Sequence, residues 1–103
     1  MQNDRIAALQ KMVERSPDDA RARFGLAMEL EKQARWEEAA AQLTRYLELA
    51  DDEGNAWGRL GNALRQLGRD EEARAAYTRG IAIANQHGHP SMAAEFEETL
   101  DDW

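Results

Sequence analysis

The chain has 103 residues, no cysteine and a formal net charge of −7. That length suits one domain with a modest core. The missing cysteine excludes a disulfide framework, a thiolate metal site and a thiol nucleophile, and the acidic balance argues against a general nucleic-acid binder.

The opening MQNDRIAAL carries Asp4 and no continuous apolar stretch, so it does not read as a secretory signal. No segment reaches the ~20 apolar residues that span a bilayer. Ile6, Leu9, Met12 and Val13 recur at helical spacing and predict a first helix over 4–15. Further helices are predicted over 19–33, 36–50, 55–67 and 70–86, with a last over 90–102. Ser16 and Ser91 sit beside Pro17 and Pro90 and are expected to cap helix starts. Gly68 follows the last periodic leucine, Leu67, and predicts a left-handed helix end. Asp70, Glu71 and Glu72 then suit the positive end of the next helix dipole. NQHGHP predicts a longer turn than the one between the first two repeats, with Pro90 in the first turn of the last helix. Met92, Phe96, Leu100 and Trp103 form that helix's apolar stripe, backed by Glu95, Glu97, Glu98, Asp101 and Asp102. No run alternates β-branched and polar residues, so the fold class is all-α.

The chain overlays itself at an offset of 34 residues. Leu26 falls on Leu60, Ala27 on Gly61, Leu30 on Leu64, Ala39 on Ala73, Leu43 on Tyr77, Leu47 on Ile81 and Leu49 on Ile83. The pair Glu37–Glu38 falls on Glu71–Glu72. One copy reads Trp57-x2-Leu60-Gly61-x2-Leu64 and then Ala73-x3-Tyr77. The other reads Arg23-x2-Leu26-Ala27-x2-Leu30 and then Ala39-x3-Leu43. This pattern resembles the tetratricopeptide repeat, in a small protein of bacterial type. The closing proline is absent from both copies, where Asp51 and Asn85 stand.

The resemblance implies a right-handed superhelical stack of helix hairpins, each a helix A followed by a helix B. One domain over 1–103 would hold a lone helix B over 1–17, repeats over 20–53 and 54–87, and a capping helix over 90–103. Gly61 and Ala27 would let helix A approach its own helix B closely, with Ala39 and Ala73 across the crossing. Ile6, Leu9, Met12 and Val13 would cover one end of the stack and the last helix the other. Trp36, Trp57 and Trp103 would pack between helices.

In this family the A helices line a concave groove that takes peptides. Groove-facing positions carried over to this chain are Arg21, Phe24, Met28 and Glu31 in the first repeat. In the second they are Asn55, Gly58, Asn62 and Arg65, with Arg59 at the margin. Asn62 has an amide that can donate and accept at once, as a peptide backbone requires; the same residue also suits a solvated surface. Phe24 and Met28, four apart, form one apolar patch that either anchors a peptide side chain opposite the space at Gly58 or packs against the first helix. Arg21, Arg59 and Arg65 either steer an acidic partner toward the groove or are ordinary solvated charges.

Some members of the family clamp the C-terminal carboxylate of heat-shock chaperones with a Lys and an Asn one turn apart on the first A helix. Phe24 and Met28 stand at those positions, Arg59 replaces a later Asn, and the chaperone-tail function is not implied. His87 and His89 lie in a loop without a placed third ligand, so no metal is expected. The carboxylates lie on solvated faces rather than in a pocket that would shift a pKa, and no glycine-rich phosphate loop follows a strand. The expected function is therefore a non-catalytic, cofactor-free cytoplasmic interaction module that binds a protein or peptide, without nucleic acid or membrane. The expected state is a monomer or weak homodimer. The alternatives are a self-association unit that uses the terminal helices and a piece of a longer repeat array.

Overall fold

A computed structural model describes the backbone of residues 2–103 and side chains from Asp4 onward. Met1, part of the expected N-terminal helical segment, lies outside the described residues. The helices are α1 (Gln2–Arg15), α2 (Ala20–Lys32), α3 (Trp36–Leu49), α4 (Asn55–Gln66), α5 (Asp70–Gln86) and α6 (Pro90–Asp101). Every end falls within two residues of the sequence-based expectation, and no strand occurs among the described residues. The chain divides after Ala50 into two compact units, α1–α3 and α4–α6. In the first, α2 packs on α3 and α1 on α2; in the second, α4 packs on α5 and α5 on α6.

Three helix-to-helix turns share one construction. At the end of α2, Ala34 N–H donates to the Glu31 carbonyl and Arg35 N–H to Leu30. At the end of α4, Gly68 donates to Arg65 and Arg69 to Leu64. At the end of α5, Gly88 donates to Asn85 and His89 to Ala84. Each is a Schellman closure, in which a left-handed residue returns the chain so that otherwise orphaned carbonyls are satisfied. Gly68 and Gly88 supply that conformation at φ 74° and 75°, as expected at Gly68, while the first turn uses Ala34 at φ 54°. The same closure corrects one expectation. The α5–α6 turn is three residues, shorter than the five between α3 and α4, because α5 runs on to Gln86 before Gly88 reverses it.

The serine caps are also corrected. Asp19 caps α2, its Oδ1 accepting from Ala22 N–H at 3.1 Å. Asp52 covers the start of α4, its Oδ2 accepting from Gly54 and Ala56 N–H at 2.8 and 2.9 Å. Ser16 instead accepts the Asp19 N–H on its carbonyl, and the residue before α6 is His89 rather than Ser91. A carboxylate here is a stronger acceptor than a hydroxyl and also complements the helix dipole.

The core of the α1–α3 unit joins Ile6 and Val13 of α1 to Ala22, Leu26 and Leu30 of α2 and Ala39 of α3, with Leu9 packed against it. Leu26, Leu30 and Leu43 have almost no exposed surface, and burial of a leucine is worth roughly 1.5–3 kcal/mol. Met12, expected in the apolar stripe of α1, is instead 48% exposed. In the α4–α6 unit, Ala56, Leu60, Ala63 and Leu64 of α4 meet Ala73, Ala76, Tyr77 and Ala84 of α5, all buried. The A–B crossing lies at Gly61, as expected. A Cβ on Gly61 would come within 2.7 Å of the Tyr77 ring, so the missing side chain accommodates an aromatic rather than the methyl of Ala73.

Candidate functional site

The two A helices, α2 and α4, carry the residues carried over from the repeat pattern. On α2, Arg21 is exposed, whereas Phe24 and Met28 are half-buried. Phe24 leans on Tyr46 of α3, with ring centroids 5.0 Å apart and planes at 52°. The ring contact ties it to its own hairpin, where the sequence pointed either to a groove or to α1. What α1 approaches is Gly25, whose absent Cβ would touch Leu9 at 3.4 Å.

Arg23, at the position where the family pattern has Trp, makes a polar tether instead. Its Nε and Nη2 donate to the Pro17 carbonyl at 3.1 and 3.0 Å, and Nη1 to Gln42 Oε1 at 3.1 Å. One guanidinium thus joins the loop before α2 to α3. Glu29, buried on α2, is neutralised by Arg5 Nε at 2.9 Å and Lys32 Nζ at 3.1 Å. Neither role was read from the sequence. The signal for Arg23 was the charged residue in an aromatic position; Glu29 offered only Lys32 three residues on, since its other partner, Arg5, is distant in the chain.

On α4, Asn55 is exposed and Asn62, Arg59 and Arg65 are half-buried. Their spacing places Asn55, Arg59 and Asn62 along one stripe of the helix. Two expectations are corrected here. The space at Gly58 is filled by Phe96 of α6, whose ring a Cβ at Gly58 would overlap. Arg65 is stacked with its guanidinium carbon 4.3 Å from the Trp103 ring centroid. Both changes have one physical cause: α6 lays its apolar stripe on α4 and α5. Trp103 also receives Arg74 at 4.8 Å and meets Tyr77 edge-on at 6.0 Å. Trp57 packs toward α5, its Cβ 3.1 Å from where a Gly80 Cβ would sit. Burial raises the Tyr77 phenol above its ordinary pKa.

Charge is unevenly placed. α4 holds Arg59 and Arg65 and no acid. The first turn of α5 holds Asp70, Glu71 and Glu72, and α6 holds four acids and no base. Arg35 and Arg69, each just before a helix B, form two-pronged pairs with Glu38 and Glu72 three residues on. The hydrogen bond from Arg35 holds the Glu38 carboxyl below its ordinary pKa. His89 contacts Glu53 Oε1 at 2.5 Å and lowers that carboxyl in the same way, which links the start of α6 to the loop before α4. Among the described residues no group of three or more His, Asp or Glu side chains is arranged to hold a metal ion, and no helix is long and apolar enough to cross a membrane.

A family model for the tetratricopeptide repeat matches residues 24–87. The match spans α2 from Phe24 through α5 and stops before α6. No match was found among curated proteins.

Proposed function

The chain belongs to the tetratricopeptide-repeat family, and from that premise we propose that it is a protein-interaction module whose A helix α4 takes up a peptide segment of a partner protein. Repeats of this family typically serve as non-catalytic interaction modules. The observation that carries the reading is the make-up of α4: two arginines, two asparagines and no acid in a chain of net charge −7. Asn55 and Asn62 supply amides that can both donate to and accept from an extended backbone. Arg59 adds positive field, so the favoured peptide is acidic. The chain brings no cofactor and no chemistry of its own, and its cysteine-free, acidic composition suits the cytoplasm.

The test is a pair of asparagine substitutions, chosen because Arg65 also supports Trp103 and its removal would disturb α6. Peptides selected by display against the native chain should bind Asn55→Ala/Asn62→Ala about tenfold or more weakly. This follows from two lost hydrogen bonds worth roughly 1 kcal/mol each. Thermal stability should be nearly unchanged. Equal affinity for both chains would remove the A-helix reading.

A further inference from the structure

Helix α6 is the least anchored of its unit. Of its 12 residues only Ala93 is buried, whereas α4, of equal length, buries six. A helix held so lightly responds to any bond gained or lost at its ends. One such bond joins its start to a distant loop. His89, the residue before α6, makes no side-chain cap for its own helix. Its Nε2 lies instead 2.5 Å from Oε1 of Glu53, 36 residues earlier.

Both partners stand on fixed backbone. The His89 N–H donates to the Ala84 carbonyl, and the His89 carbonyl accepts from Ala93 N–H. Glu53 lies between Asp52, whose Oδ2 accepts from Gly54 and Ala56 N–H, and Gly54, which is buried at φ 123°. A Cβ on Gly54 would come within 3.0 Å of Met92 Sδ and 3.1 Å of the Ala84 methyl, so the loop meets α5 and α6 closely beside the pair. A pair held this way gives up less freedom on forming than two long side chains on an open surface. Neighbouring charges leave it largely to itself. His87, in the same turn, adds a weaker attraction to Glu53. Asp51 and Asp52 precede Glu53 in the loop, and Asp52 is engaged at the start of α4. The first turns of α4 and α6 hold no acid, and the last turn of α5 holds no base.

We propose that His89 and Glu53 form a proton-operated latch, which fastens the start of α6 to the loop before α4 when the imidazole is charged and slackens when it is neutral. Histidine is the side chain that changes charge between about pH 5 and 8, and this ring is 41% exposed, open to protons from solvent. A charged imidazole makes an ion pair whose hydrogen bond is roughly twice as strong as a neutral one. Glu53 sets the acid limit. The bond from His89 holds its carboxyl below the ordinary 4.5, so its contribution is present above that value and is lost as pH falls through the lower one. The latch is therefore tightest in mildly acidic solution, loosens as the imidazole discharges and fails in strong acid. It makes no use of Asn55 or Asn62 and stands whether or not α4 takes up a peptide.

The experiment follows native-state hydrogen exchange of the α6 amides in the full chain at about pH 5.5 and pH 8, corrected for the intrinsic exchange rate. Opening should be roughly two- to fivefold more frequent at the higher pH, the range expected of an exposed but well-placed pair. Glu53→Gln and His89→Gln should each abolish that difference by raising opening at the lower pH. Both side chains are exposed, so both variants should keep the native helical circular dichroism. Equal opening at the two pH values in the native chain overturns the proposal. So does a difference that survives Glu53→Gln, or one that His87→Gln removes and His89→Gln does not. If Glu53→Gln loses its helical signal, His89→Gln alone decides: opening independent of pH supports the latch, and an unchanged difference overturns it.

Discussion

Ala34 is the residue at which the two repeats part most simply. It sits in the left-handed region at φ 54°, where its counterpart one repeat later is Gly68 at 74°. The hydrogen bonds around the two are the same, so the turn geometry is dictated by the Schellman closure and not by the residue. A left-handed backbone costs an L-residue roughly 1–2 kcal/mol, and glycine forfeits roughly 0.4–1 kcal/mol of that gain through its freer unfolded chain. Ala34→Gly should therefore stabilise the protein by about 0.5–1 kcal/mol, read as a higher urea midpoint at unchanged slope. Gly68→Ala should move the midpoint the other way by a similar amount. Nothing lies within 4 Å of a Cβ there, so only the backbone conformation would be charged. A midpoint that falls on Ala34→Gly would contradict this account. Arg23 is a second divergence of the same kind: a polar tether to Pro17 and Gln42 does for the first repeat what an aromatic at Trp57 does for the second.

At the level of the helices, the apolar spacing and the punctuating Gly, Pro and acidic residues were enough to place all six, because both signals are local. The place of Gly61 at the crossing was also legible from the repeat pattern, which set Ala73 opposite it; that the ring of Tyr77 fills the space was not. Gly61→Leu should destabilise the protein by more than ~1 kcal/mol through overpacking against Tyr77. Thermal unfolding measures it, and an unchanged midpoint would mean that the crossing lies elsewhere. Gly58 was not legible. A glycine announces space without saying what fills it, and here the occupant, Phe96, comes from a helix 38 positions on. The same limit hid the Trp103–Arg65 stack and the pair between His89 and Glu53. Each depends on how elements meet, not on either element's own pattern.

On the scale of the whole chain, each unit is a helix hairpin with one flanking helix, but the two flanks are bound differently. α1 sends Ile6 and Val13 into a core it shares with α2 and α3. α6 contributes Ala93 and otherwise packs through half-buried side chains, with its acids exposed, while Trp103 just past its end stacks on Arg65 and Arg74. Local opening follows the weakest burial, so regions with little buried apolar surface exchange their amide hydrogens through partial unfolding long before the core does. α6 should therefore open first in its unit. Native-state hydrogen exchange, followed residue by residue, should give amides in the body of α6 clearly lower opening free energies than those of Leu60–Leu64 in α4 or Ala73–Tyr77 in α5. Phe96→Ala should lower the α6 values further while leaving the α4 and α5 order intact. If α6 instead exchanges only together with α4 and α5, it is an inseparable part of the fold.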